Sequence, residues 1–224
     1  MRQSMSQAAL AVYPWPASRP LLAATPEIGQ RLFVISVATP RTTLRDAART
    51  QLRGAVREVL GLQLSRSPES IALVSVPGQA IGVDLPGHAI SVSASHEVGM
   101  SVAAMGREGP IGVDIMRLPE EFDWQPLARD YLGLQAFAKL ERMPKHEQLP
   151  AFTREWTRLE AALKCLGIGL QEWNASLERQ IRACRIIALV LPAGLFGSVA
   201  CKPMAGASRI LTVSEIFGAP IVTH

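Results

Sequence analysis

The amino-acid sequence predicts an α+β fold in two lobes. Strand-like and helix-like segments follow one another in the order strand, helix, strands, helices, strands, rather than in strict alternation. A Gly/Pro-bearing turn at 106–110 divides the chain between two apolar strands and marks the boundary of the lobes.

The elements follow in order. Residues 1–30 carry Pro14, Pro16, Pro20 and Pro26 and no period, and they read as an extended or partly ordered arm. Residues 31–38 (RLFVISVA) read as a strand. After Thr39-Pro40, Thr42 or Thr43 is placed to cap a helix over 44–60 that Gly61 ends. Leu44, Ala48, Leu52, Ala55, Val56 and Val59 share one face of it, and Arg45, Arg49, Arg53 and Arg57 the other. Short strands are predicted over 71–76, 89–93, 100–105 and 111–115. The IGVD of 111–114 occurs also at 81–84, where it reads as a turn or a chance repeat. Residues 123–149 read as helix in two pieces broken near Pro144. A helix over 150–166 follows, with Gly167 as its C-cap, and the tail reads as strands over 186–190, 195–200 and 209–213.

Composition narrows the function classes. With 224 residues, 48% hydrophobic and 19% charged, the chain is an ordinary globular one. The net charge of +4 comes without a run of five basic residues, so nucleic acid is not the expected partner; an anionic small molecule or an acidic protein suits that field. Three cysteines, Cys165, Cys184 and Cys201, fit neither CxxC nor a zinc spacing and read as reduced thiols, with Cys165 packed as a small hydrophobe. The longest uncharged run, 186–201, is cut by Pro192-Ala193-Gly194, so no membrane span is expected. The N-terminus lacks the apolar core of a signal peptide.

Four places carry chemistry. Glu160 and Lys164 stand at i, i+4 on one helix face, with Trp156 and Leu163 beside them as shields. Such a pair on its own is a surface ion pair; the Gly167 and Gly169 that follow point to a tight turn or close backbone approach. Asp114 ends an apolar strand on the face opposite Ile111, Val113 and Ile115; it is either a cap or turn residue or, paired with Glu160, a ligand for a hard cation such as Mg²⁺. His96, next to Ser95 at a strand-to-loop transition, is either structural or a donor to a phosphate. The four arginines are either a solvated face or, at Arg49 with Thr50, a phosphate contact.

In order, the chain carries DAART (46–50), SVSASHEVG (91–99), GVDI (112–115) and FTREWTRLEAALKCLGIGL (152–170). These resemble the Sfp-type 4′-phosphopantetheinyl transferases, whose signature is a Ser-His pair, then GxDxE, then WxxKEAxxKxxGxGL. The resemblance spans about 41–170. It implies two similar α/β lobes in pseudo-two-fold arrangement (31–108 and 109–224, after the arm 1–30), with coenzyme A in the cleft between them. It implies Mg²⁺-dependent transfer of 4′-phosphopantetheine from coenzyme A to a serine of an apo acyl or peptidyl carrier protein, with release of 3′,5′-ADP, by a cytoplasmic monomer. Asp114 and Glu160 would hold the metal. Glu160 would also take the serine proton, and Lys164 would neutralise charge at the phosphoryl group. His96 and Ser95 would meet coenzyme A phosphate, and Arg49 and Thr50 its nucleotide end. Three positions depart from the pattern. Met116 stands for the second acid, Leu159 for a lysine, and Gly78-Gln79-Ala80 for a GKP loop. They leave open a relative that binds coenzyme A or a carrier without turnover.

Overall fold

The computed structural model describes residues 9–24, 32–74, 81–85, 89–107 and 109–202. The strand expected at 209–213 and the Gly78-Gln79-Ala80 segment lie outside them.

Two sheets and two long helices form four layers. The first sheet runs β1 (Val12–Pro14), β2 (Phe33–Ala38), β6 (Met100–Gly106), β5 (Ser91–Glu97), β4 (Ile81–Asp84), β3 (Ala72–Val74). β1 pairs parallel to β2, and the other pairs are antiparallel. The second runs β7 (Ile111–Arg117), β9 (Leu195–Cys201), β8 (Arg185–Ala188), all antiparallel. Period-two alternation sorts the side chains. Phe33, Ile35, Ala103 and Met105 meet Leu52, Val56 and Val59 of α2 (Arg45–Leu64). Their neighbours Val34, Val102 and Ala104 meet Ile111, Val113, Ile115 and Val199 of the second sheet. On that sheet's other face Ala200 packs with Ala161, Ala162 and Cys165 of α5 (Lys145–Leu166). A helical cluster closes the far side of α5. It comprises α3 (Gln125–Leu127) with a π-helical turn over Ala128–Leu132, α4 (Leu134–Glu141) and α6 (Ala175–Arg182), gathered around Phe152, Leu159 and Leu163. The short α1 (Arg19–Ala24) buries Leu22 against α2's cluster.

Several local expectations are corrected. α2 starts after Leu44 with no side-chain cap from Thr42 or Thr43. Gly61 does not end it. The helix continues to Leu64, closed by Ser65 in the left-handed region, and Gly61 is where the chain folds back, since a Cβ there would sit 2.7 Å from Arg66 O. The IGVD at 81–84 is strand β4, and the strand expected at 89–93 runs on to Glu97, so His96 lies within it. α5 begins at Lys145 with Pro150 inside it; the missing N–H there deprives only the carbonyl of exposed His146. The 123–149 region holds a short helix, a π-helical turn and a second helix, because Gly133 at φ +82° interrupts it before Pro144 does. α6 was not expected; Asn174 caps it by accepting from Ser176 N and Leu177 N. Gly167 is the left-handed C-cap of α5, as the sequence predicts. Among the described residues no helix is long and apolar enough to cross a membrane.

Candidate functional site

The site begins with Gly112. A Cβ there would overlap Ala161 O and Cys165 N, so glycine lets β7 and α5 touch backbone to backbone. Two residues on, the same face of β7 presents Asp114 to α5, and one helical turn separates Glu160 from Lys164 on the facing side. Lys164 Nζ lies 2.8 Å from Asp114 Oδ1 and also donates to Val113 O at 3.1 Å.

Asp114 is held from the other side by β5. Ser95 Oγ donates to Asp114 Oδ1 at 3.0 Å and accepts from Ile115 N at 3.2 Å. Ser93 Oγ accepts from Val113 N at 3.0 Å, and Glu97 Oε2 from Arg117 N at 2.9 Å. β7 is the edge of its sheet, and its outward amides would otherwise be left unpaired; three β5 side chains at alternate positions satisfy them.

These elements wall a cavity of about 790 Å³. Ser95, His96, Asp114, Met116, Trp156, Glu160 and Lys164 line it, and Arg45, Arg49 and Arg53 enter from α2. Of the residues singled out in the sequence, Arg49, Ser95, His96, Asp114, Glu160 and Lys164 therefore meet in one place. Thr50 does not; its hydroxyl is exposed and bonds back to Asp46 O at 2.9 Å. Leu163, expected to shield the pair, is 1% exposed in the helical core, and Leu159 is buried there too. The lysine lost at Leu159 is thus not a loss to the cavity. Trp156 does line it, packed at a tilt against Phe152 with 5.6 Å between ring centroids. Gly169 has neither a positive φ nor a close neighbour. The arginines are not a plain solvated face. Arg53 donates to Leu73 O at 2.9 Å and Arg57 to Ile71 O at 3.2 Å, so both are tied to the β3 region. Arg45 and Arg53 were not singled out as binding residues; their i, i+4 spacing with Arg49 is the signal that places all three on one side.

The electrostatics follow from this crowding. Burial pushes the Asp114 carboxyl above its ordinary range, and the Lys164 charge and the bonds from Lys164 and Ser95 work against that. Burial and the Asp114 charge push Glu160 up, with Lys164 opposing. His96 is lowered to about 4 by burial and by the charges of Arg49, Arg45 and Lys164, so it is neutral at pH 7. Its Nδ1 lies 2.8 Å from Ser101 Oγ. One end of the cavity thus carries guanidinium groups, and the other carries two carboxylates, of which Asp114 is paired with the Lys164 ammonium. The first suits phosphate oxygens. The second is an all-oxygen pair with more negative than positive charge, the donor chemistry of a hard divalent cation completed by phosphate and water. Met116, on the same face of β7, adds a thioether and no oxygen.

Comparison with known proteins finds similarity for one part of the chain. Residues 110–189, which carry β7, α5 and the Asp114, Glu160 and Lys164 side chains, match the family model of the 4′-phosphopantetheinyl transferase superfamily. The 4′-phosphopantetheinyl transferase AcpT of Salmonella typhimurium (strain LT2) is 34% identical over 73 residues, 33% of this chain and 38% of that protein. The chain therefore spans well under half the length of the curated relative it matches. Both findings support the phosphopantetheinyl transferase superfamily for this part of the chain, without distinguishing the Sfp-type branch.

Proposed function

We propose that the chain is an Sfp-type 4′-phosphopantetheinyl transferase that moves the phosphopantetheine arm of coenzyme A to a serine of an apo acyl or peptidyl carrier protein. The observation that carries this is the meeting of Asp114, Glu160 and Lys164, on the segment that matches the superfamily, with His96 and three arginines from outside it in one cavity. The lobes 31–108 and 109–224 in pseudo-two-fold arrangement, with the site between them, belong to the same reading, as do the cytoplasmic setting and the monomer.

The residues divide the work. Arg45, Arg49 and His96 bind phosphate oxygens of coenzyme A, the arginines by charge and His96 as a neutral N–H donor. Lys164 stands at the diphosphate and offsets charge on the phosphoryl oxygens as the serine oxygen approaches. Glu160, with its proton affinity raised by burial and by Asp114, takes the serine proton directly or through water. The serine oxygen then forms its bond to phosphorus as the bond to 3′,5′-ADP breaks. Asp114 and Glu160 would hold Mg²⁺, which supplies Lewis-acid neutralisation of the diphosphate when bound. Trp156 keeps one wall apolar and limits water.

The test is transfer itself. Purified protein with Mg²⁺ and coenzyme A should add a phosphopantetheine mass to an apo carrier domain, and Glu160→Gln or Asp114→Asn should abolish it. Wild-type rates in both variants would overturn the assignment. One observation favours a second reading, a relative that binds coenzyme A or a carrier without turnover: Met116 lines the cavity where an oxygen ligand is expected. Calorimetric binding of coenzyme A with no transfer to any of several carriers would establish it.

A further inference from the structure

A second cavity, of about 570 Å³, opens on another face of α5. Its volume falls among those of small-molecule sites, roughly 300–1,000 Å³. Leu132, Leu159, Trp173, Ile181 and Ile186 form an apolar wall drawn from the π-helical turn, α5, the α5–α6 connection, α6 and β8. Leu132 and Leu159 are buried members of the helical cluster, and the other three are only partly covered. Trp173 is held in place from two sides. Its N–H donates to Asp130 O at 2.8 Å, and its indole lies so near Gly133 that a Cβ there would come within 2.5 Å of the ring. Leu134 also lines the cavity and is 72% exposed, so apolar surface remains for a ligand to cover.

Charged side chains line the same space, and one of them is unmatched. Glu155 pairs with Arg158 at 3.4 Å, and Glu178 with Arg182 at 2.6 Å. Among the described residues, Arg129 has no carboxylate within ion-pair distance. Its guanidinium sits over the Phe137 ring, 4.9 Å from the centroid. That contact occupies the flat face of the fork and leaves its N–H edge for a planar partner with two oxygens. The cavity thus joins an aliphatic wall to a single positive charge without a counter-ion, the complement of a ligand with an apolar tail and one anionic head.

We propose that this cavity binds an aliphatic carboxylate, its tail against Leu159, Ile181 and Ile186 and its head on the Arg129 guanidinium. A carboxylate fits better than a phosphate. One guanidinium edge satisfies both carboxylate oxygens, whereas a dianionic head would keep an unmatched charge close to Glu155 and Glu178. The small side chains of Ala136 and Ala175 leave the room that the tail takes. No residue of this wall lines the first cavity, so the inference stands apart from the proposed function.

Calorimetry on the full chain with hexanoate, octanoate and decanoate tests this. Affinity should rise along the series by up to about fourfold per added methylene, the gain from burying that much apolar surface. Decanol, which lacks the charge, should bind more weakly than decanoate, and Arg129→Gln should weaken decanoate by about 10–100-fold, the value of a charged hydrogen bond. Arg49→Gln should leave decanoate binding unchanged. In ¹H–¹⁵N spectra the Trp173 indole signal should move with decanoate, and that of Trp156, in the first cavity, should not. No binding at millimolar decanoate, equal binding of decanol, full affinity in Arg129→Gln, or loss in Arg49→Gln would each overturn the proposal. Arg129 is exposed, so its variant should fold, which a melting curve checks. Ala136→Leu, which fills the space from α4, should block decanoate independently, and full affinity there would also overturn the proposal.

Discussion

Ser95 Oγ stands 3.0 Å from Asp114 Oδ1, and the same oxygen accepts the backbone N–H of Ile115. At 6% exposure this hydroxyl is committed to the protein. We read Ser95 as a positioning residue rather than a direct phosphate contact: it fixes the Asp114 carboxylate, with Lys164 on the same oxygen. Ser95→Ala should therefore weaken the response to Mg²⁺ by about 10–100-fold, the usual size of such orienting contacts. Its KM for coenzyme A should change little. Transfer rates measured across a Mg²⁺ titration test this, and an unchanged Mg²⁺ dependence would refute it.

Gly112→Ala should be far more damaging than its size suggests. The new methyl would meet Ala161 O and Cys165 N, backbone atoms with no rotamer to yield. A loss of about 1–3 kcal/mol, the ordinary cost of overpacking, is the minimum expected in urea unfolding. Gly54→Ala is the control. Nothing lies within 4 Å of its added Cβ, and it sits inside α2, so it should stabilise the protein by about 0.5–1 kcal/mol.

His96 gives a pH signature. Its folded value of about 4 lies below its ordinary 6.5, so between those values the unfolded chain binds more protons. Its contribution to stability is complete above about 6.5 and is lost as pH falls toward 4. His96→Gln should flatten the acid limb of a plot of melting temperature against pH. Pyrophosphate bound beside the ring should raise the His96 value, read by NMR titration of the imidazole; no shift on saturation would place the anion elsewhere.

Met116→Glu would put a third carboxylate in the cavity, on the same face of β7 as Asp114. If the cation sits between Asp114 and Glu160, Mg²⁺ affinity should rise clearly, measured by calorimetry with coenzyme A present. No gain would move the cation away from Met116.

Much of this site was legible in the residues, and the reasons differ by element. α5 announced itself by its length, its apolar spacing and Gly167, and its Glu160–Lys164 pair is where the sequence predicts. Asp114 was legible as an odd carboxylate in an apolar strand. Thr50 was misplaced because one helical step separates a side chain that enters the cavity, Arg49, from one that bonds back to its own helix. Leu163 was misplaced for the same reason, three residues from Glu160 yet turned to the core. Gly61 reads locally as a stop; only the returning chain at Arg66 shows why a glycine is there. The signal for α6 was present, in Asn174 followed by Leu177 and Ile181, but it is short and polar. Its place is fixed by burial of Leu177 in a cluster built from distant segments. The grip of Ser93, Ser95 and Glu97 on β7 could not be read from sequence, because it is a long-range register.

That grip works like a vernier scale. Three oxygens at two-residue intervals engage three amides at the same pitch, and a slip of one residue would offer Val92, Ala94 and His96 to them instead. Sliding β5 along β7 would therefore break all three bonds at once and carry Ser95 away from Asp114.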